Sequence, residues 1–168
     1  LIRISDIQKN LLFLQAYKDN GVITEEDIVE AIPKTLQDNI FDLTQLILGK
    51  KIDQARDLVK DLTLQGEDEI KLIAIMLGQF RLYAQVKILQ ESGQTESQMV
   101  SSLGHYLGRN PNPYQIKFAL RDTRGLSLNF LQDSIRYLIQ ADYQIKTGVY
   151  EKGYLFEKAL LQIASQSN

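Results

Sequence analysis

Residues 66–90 read GEDEIKLIAIMLGQFRLYAQVKILQ, and the fold class turns on them. A glycine is followed by three acids, Glu67, Asp68 and Glu69. Carboxylates are favoured at the start of a helix, because its unpaired backbone N–H groups carry partial positive charge. From Ile70 to Leu77 the residues are apolar almost all round, which predicts a helix covered on several sides rather than a surface helix. At ~1.5 Å per residue, about 24 residues span roughly 36 Å, the width of a small domain. The stretch is therefore expected to be the central pillar of a helical domain.

Helical spacing continues on both sides of the pillar, with no alternating strand pattern, so the fold class is all-α. Ser5 with Gln8 has the spacing of a capping box, ahead of an apolar row Ile7, Leu11 and Leu14 that Asn20-Gly21 ends. Thr24 with Asp27 opens a short second helix that Pro33 forbids from continuing. A third runs from about Asn39 to Leu48 and closes at Gly49. A fourth carries Ile52, Ala55, Leu58, Val59 and Leu62 and closes at Gly66. Beyond the pillar, which ends at Ser92-Gly93, Thr95 and Gln98 form another capping box ahead of Met99, Val100 and Leu103. Gly104 to Asn112 reads as a loop, and Asn112-Pro113 as a cap followed by proline where its missing N–H costs nothing. That helix stops near Gly125. Ser127 starts a long one through Thr147 with Gly148 as its stop, and a last helix from near Gly153 carries Leu155, Phe156, Leu160 and Ile163.

The division falls near 33–37. Residues 1–35 hold only two helices and read as the end of a domain cut upstream; residues 36–168 have enough helices for a core of their own. The chain does not begin with Met and is read as an excised piece of a longer protein. No repeat of solenoid period is visible.

Composition narrows the function classes. The 168 residues carry a net charge of −2, which gives no electrostatic case for binding nucleic acid. The absence of cysteine removes disulfides, zinc ribbons and thiol nucleophiles, and fits the cytoplasm. No apolar run of membrane-spanning length lacks a charge, and Leu1-Ile2-Arg3-Ile4 is not a signal peptide. His105 is the sole histidine and has no acid at i±4, so neither a metal site nor a catalytic base is expected. Gly49-Lys50 lacks the spacing of a phosphate-binding loop and sits at a helix end, where basic residues are ordinary. The acids at 25–26 and 67–69 lie in first helical turns, where capping explains them. No catalytic residue, metal or cofactor is therefore assigned.

Two features carry more. Lys71, Ala74, Gly78, Arg81 and Gln85 fall on one stripe of the pillar. A mid-helix glycine costs about 1 kcal/mol against alanine. Close approach of another helix, within the domain or from a neighbouring subunit, would explain Gly78, so Lys71, Gly78, Arg81 and Gln85 are candidate subunit-interface residues. On the helix after Ser127, the row Leu128, Leu131, Ile135 and Leu138 next meets Asp142, a carboxylate on an apolar face. Asp142 and Lys146, one turn on, are both expected to be partly buried and tied together, with Glu157 as a further partner. A rival class is a DNA-binding regulator using residues 95–124 as a helix-turn-helix, with Tyr114, Gln115, Lys117 and Arg121 on the reading helix. The longer connection and the apolar Phe118 and Leu120, expected in the core, argue for packing instead.

The order of these segments resembles a known family. ITEEDIVEAI, then NIFDLTQLILGKKIDQARDLVKDL, then the pillar, is similar to the lid-to-collar sequence of the delta subunit of bacterial DNA polymerase III, a clamp-loader protein. Leu107-Gly108 with Asn112 to Lys117 resembles that family's Leu-Gly, Pro-Tyr and basic helix. Ala141-Asp142 to Gly148 resembles its Ala-Asp…Lys-Thr-Gly run, and Leu155 to Lys158 its closing helix. The resemblance covers essentially the whole chain. It implies the end of a small helical lid over 1–35 and an all-helical collar of roughly seven helices over 36–168, which joins the subunits of the loader into a ring. It also implies a non-catalytic, cytoplasmic protein whose partners are the other clamp-loader subunits. The sliding clamp would be bound through an N-terminal, ATPase-like module outside these residues, DNA would be touched at most indirectly, and no membrane would be involved.

Overall fold

The computed structural model describes residues 4–17, 22, 24, 34–108 and 111–167. Among them every regular element is a helix: α1 (Ile4–Tyr17), α2 (Leu36–Leu48), α3 (Ile52–Leu64), α4 (Glu69–Glu91), α5 (Glu96–Leu107), α6 (Pro113–Asp122), α7 (Leu128–Lys146) and α8 (Lys152–Ser165). The chain divides into two compact units, 1–38 and 39–168.

In the first unit, Ser5 is already part of the helical backbone of α1, so it is not a cap ahead of the helix. Leu14 is buried, but Leu11 is half exposed, so the expected apolar row is only partly used. The short helix expected from Thr24 to Pro33 lies outside the described residues, apart from Thr24 itself. α2 starts three residues before the expected Asn39 because Thr35 and Asp38 close a capping box ahead of it. Thr35 N–H donates to Asp38 Oδ2 at 3.1 Å, and Asp38 N–H donates back to Thr35 Oγ1 at 3.2 Å.

The second unit is built around α4. Asp68 caps it, its side chain accepting from Ile70 N–H at 2.8 Å. Leu72, Ile73, Met76, Leu77, Phe80, Tyr83, Ala84 and Val86 are buried along the helix. By length and composition α4 could cross a membrane; here those side chains form the interior of a helical bundle. α7 makes the most extensive backbone approach to α4, α8 lies on α7, and α5, α6 and α8 also reach the pillar. Non-directional burial of this apolar surface is the main force holding the unit together.

Chain ends of the helices follow their local chemistry. Thr95 and Gln98 close a capping box, Asn112 caps α6 ahead of Pro113, and Ser127 accepts from Phe130 N–H. After α2 the left-handed residue is Lys50, at φ 58°, not Gly49. The N–H of Lys51 returns to the Leu46 carbonyl at 2.8 Å, which closes the helix. A side chain in that conformation costs roughly 1–2 kcal/mol.

The face of α7 that enters the core differs by one residue from the expected row. Phe130, Leu131, Ser134, Leu138, Ala141 and Ile145 are buried, while Leu128 and Ile135 are only half buried. Ser134 fits because its hydroxyl donates to the Phe130 carbonyl at 2.8 Å and accepts from Gln166 Nε2 at 2.9 Å.

Candidate subunit interface

α4 has one side that the second unit does not cover. Ala74, Gly78 and Arg81 are exposed along it and Gln85 is half buried. A Cβ added to Gly78 would meet nothing within 4 Å. Among the described residues, no helix comes close enough to account for this glycine. Lys71, at the head of the stripe, is turned back past the cap of the helix: its Nζ lies 2.8 Å from Oε2 of Glu67, four positions earlier. Ile88, exposed and one turn beyond Gln85, extends the stripe with an apolar side chain. Its spacing from Arg81 and Gln85 was readable in the sequence, but an isoleucine in a core helix is assigned to the core by default. The result is a strip of small, basic and apolar residues on the helix that contributes the most buried side chains among the described residues.

The polar cluster expected at 142, 146 and 157 forms only in part. Lys146 Nζ lies 2.7 Å from Asp142 Oδ2, with Asp142 half buried at the margin of the core face and Lys146 exposed. Glu157 does not join them. It is bound by Arg56 of α3, which links α3 to α8. The correction follows from the shift of the α7 face by one residue: Asp142 sits at its edge and satisfies itself along its own helix. Near by in chain order, Tyr143, Tyr150 and Tyr154 are exposed, and the rings of Tyr150 and Tyr154 lie 5.9 Å apart.

A second ion pair ties the start of α8 to the start of α4. Lys152 Nζ is 2.6 Å from Asp68 Oδ2. The hydrogen bond from Lys152, then the Ile70 N–H, hold the Asp68 carboxyl below its ordinary value, and the same bond holds Lys152 above its own. For Asp68 the sign follows from the lowered value. Its contribution is complete above the unfolded value of 3.8 and is lost as pH falls through the lower folded value. Asp68→Asn, which keeps a capping oxygen, is expected to shrink the fall in thermal midpoint between pH 7 and strongly acidic solution. Melting curves of both proteins at the two pH values test this, and an unchanged acid-side fall would contradict it.

The segment considered as a helix-turn-helix is α5 and α6. Tyr114, Gln115 and Lys117 are exposed. Phe118, expected in the core, is 43 % exposed; its ring lies 6.2 Å from that of Phe41 and beneath the Arg121 guanidinium at 5.0 Å. Arg121 also donates to Asp122 through Nε, so it is held in place by its own helix. His105 is exposed in the last turn of α5. Among the described residues, no three His, Asp or Glu side chains gather as a metal site requires.

With this geometry in view, the comparisons agree. The family described as "DNA polymerase III delta subunit, C-terminal domain" matches residues 37–163. The DNA polymerase III subunit delta of Bacillus subtilis (strain 168) is 32 % identical over 162 residues, which cover 96 % of this chain and 44 % of that protein. The solved structure of the Bacillus subtilis DNA clamp loader delta protein superposes with a TM-score of 0.80 at 30 % identity, covering 97 % of this chain and 47 % of that one. This chain thus spans a little under half the length of both relatives. These matches do not favour the helix-turn-helix regulator. The all-helical second unit and the family match over 37–163 agree with each other, and the chain belongs to the DNA polymerase III delta subunit family, matching its C-terminal domain.

Proposed function

We propose that this chain is the assembly part of a clamp-loader delta subunit, non-catalytic in itself. Residues 36–168 are the collar, which holds the subunit among the other clamp-loader subunits, and residues 1–35 are the end of the lid that precedes it. The observation that carries this reading is the open stripe on α4. Its glycine meets no neighbour among the described residues, although α4 contributes more buried side chains than any other described helix. A mid-helix glycine costs about 1 kcal/mol, a cost that close approach of a helix from another subunit offsets. Ala74 and Gly78 admit that helix, Arg81 and Gln85 supply hydrogen-bonding groups at its edge, and Ile88 adds apolar area.

The sliding clamp is bound through a module N-terminal to these residues. The collar's contribution is mechanical: by holding the subunits in one cytoplasmic assembly, it lets nucleotide-driven changes in neighbouring subunits reach the module that opens the clamp. No cofactor is required for that task, and DNA is contacted at most indirectly.

Arg81 supplies the direct test. It is exposed and lies outside the core, so Arg81→Glu is expected to leave the melting temperature of the chain close to that of the wild type. On a sizing column with the other subunits, the variant should lose co-elution at concentrations where the wild type retains it. Undiminished co-elution would remove the α4 stripe as the interface.

A further inference from the structure

The interior of the second unit contains a polar cluster contributed by three helices. The Asp122 side chain, at the end of α6, is only 2 % exposed. Its Oδ2 accepts from the Tyr83 hydroxyl of α4 at 2.8 Å and from Gln45 Nε2 of α2 at 2.9 Å. Its Oδ1 accepts from Arg121 Nε at 2.8 Å. One turn before Tyr83, Gln79 donates through Nε2 to the Tyr83 hydroxyl oxygen at 2.9 Å. Gln79 Oε1 lies 2.9 Å from the Thr44 hydroxyl of α2. That hydroxyl is also 2.9 Å from the Ile40 carbonyl oxygen and has one proton, so it donates to one acceptor at a time. Burial first, then the charge of Asp122, push the Tyr83 phenol far above its ordinary value, so it remains a donor at any working pH. Among the described residues, no buried side-chain nitrogen or oxygen is left without a partner.

The position of α2 gives this cluster a task. Ile40, Leu43, Thr44 and Ile47 are buried essentially completely. Even so, α2 is absent from the helix pairs whose backbones approach extensively, which join α4 with α5, α6, α7 and α8, α5 with α6, α7 with α8, and α3 with α8. α2 is therefore attached at side-chain length. Side-chain ridges fitted into grooves favour certain crossing angles, with a scatter of about 15–20°. Burial of the apolar stripe sets which side of α2 faces the core, but, scaling with area and having no direction of its own, it fixes fine rotation and slide only loosely. Hydrogen bonds are directional and fix both. Thr44 and Gln45, adjacent on α2, reach different helices, and a displacement by one residue (about 100° of turn) would carry both away from their acceptors.

We propose that Thr44, Gln45, Gln79, Tyr83 and Asp122 form a register lock that fixes the rotation and slide of α2, from Asn39 onward, against α4 and α6. These are positioning residues, and the lock stands on geometry independent of the assembly reading. With it closed, α2 moves with the bundle as one body. With it open, α2 stays apolar-attached but samples several registers.

Amide hydrogen exchange on the full-length subunit separates a lock from general stabilisation. Tyr83→Phe removes the hydroxyl at the centre of the cluster. Gln45→Met removes the α2 donor at matched length and at a half-exposed site, so it gives a reading even if Tyr83→Phe does not fold. Either variant is expected to lower protection of amides 43–48 by about tenfold while amides 130–141 of α7 stay within about twofold of wild type, a regional opening. A loss spread evenly over all helices would make the cluster a general stabiliser. Unchanged protection in α2 would make it idle. Either result overturns the lock.

Discussion

Gly78→Leu is expected to act with opposite sign on the chain alone and on its assembly. In the isolated chain no described residue lies within 4 Å of a Cβ at that position. Leucine is a better helix former than glycine by nearly 1 kcal/mol, so the melting temperature should rise. In the assembled loader, under the proposed interface, the same side chain would stand where another helix approaches α4 closely. Overpacking of that kind typically costs 1–3 kcal/mol, which is about ten- to a hundredfold in association at the upper part of that range. Few surface substitutions combine a gain in stability with a loss of binding, so the pair of signs is the diagnostic. Thermal melts of the chain and titration of its complex with the neighbouring subunits measure both. A rise in melting temperature with undiminished association would show that Gly78 lies outside the interface.

Phe80→Ala should have the largest effect on the fold. Phe80 is fully buried in the pillar, and its ring lies 5.9 Å from that of Tyr83 in an edge-on arrangement. Removing a buried phenylalanine costs about 3–5 kcal/mol through lost transfer energy and the cavity left behind. The Tyr83 ring would also lose a neighbour that holds it toward Asp122. Against a typical domain stability of about 5–15 kcal/mol, this is a large fraction of the whole. Denaturant unfolding should show the midpoint moving sharply to lower concentration. A shift of only a few tenths of a kcal/mol would contradict the placement of Phe80 at the centre of the core.

What the sequence disclosed and what it hid differ by range. The caps at Thr95, Asn112 and Ser127 are local devices, set by side chains that reach backbone two or three residues away, and each was readable from spacing alone. Thr35 and Asp38 have the same spacing, but the segment after Pro33 reads as a linker, which hides that box in the sequence. The α7 face was misplaced because the row was drawn through large apolar residues. The fold instead buries Ser134 and Ala141, which are small and suit the helix that approaches α4 most extensively. Asp142 consequently sits at the edge of the face.

Long-range polar partners were not legible at all. Arg56 and Glu157 are separated by 101 positions, and Gln45 and Asp122 by 77. Neither residue type nor period marks such pairs before the helices are arranged. The candidate interface shows the converse. Periodicity placed Lys71, Ala74, Gly78, Arg81 and Gln85 on one stripe, but an internal contact explained it equally well until the fold left Gly78 open.

Co-elution of the purified chain with the other clamp-loader subunits on a sizing column tests the central claim most directly. The collar reading predicts a defined complex that persists at moderate salt, where exposed charge pairs are largely screened and packed helix faces are not. A folded chain that elutes alone over the same concentrations would contradict it.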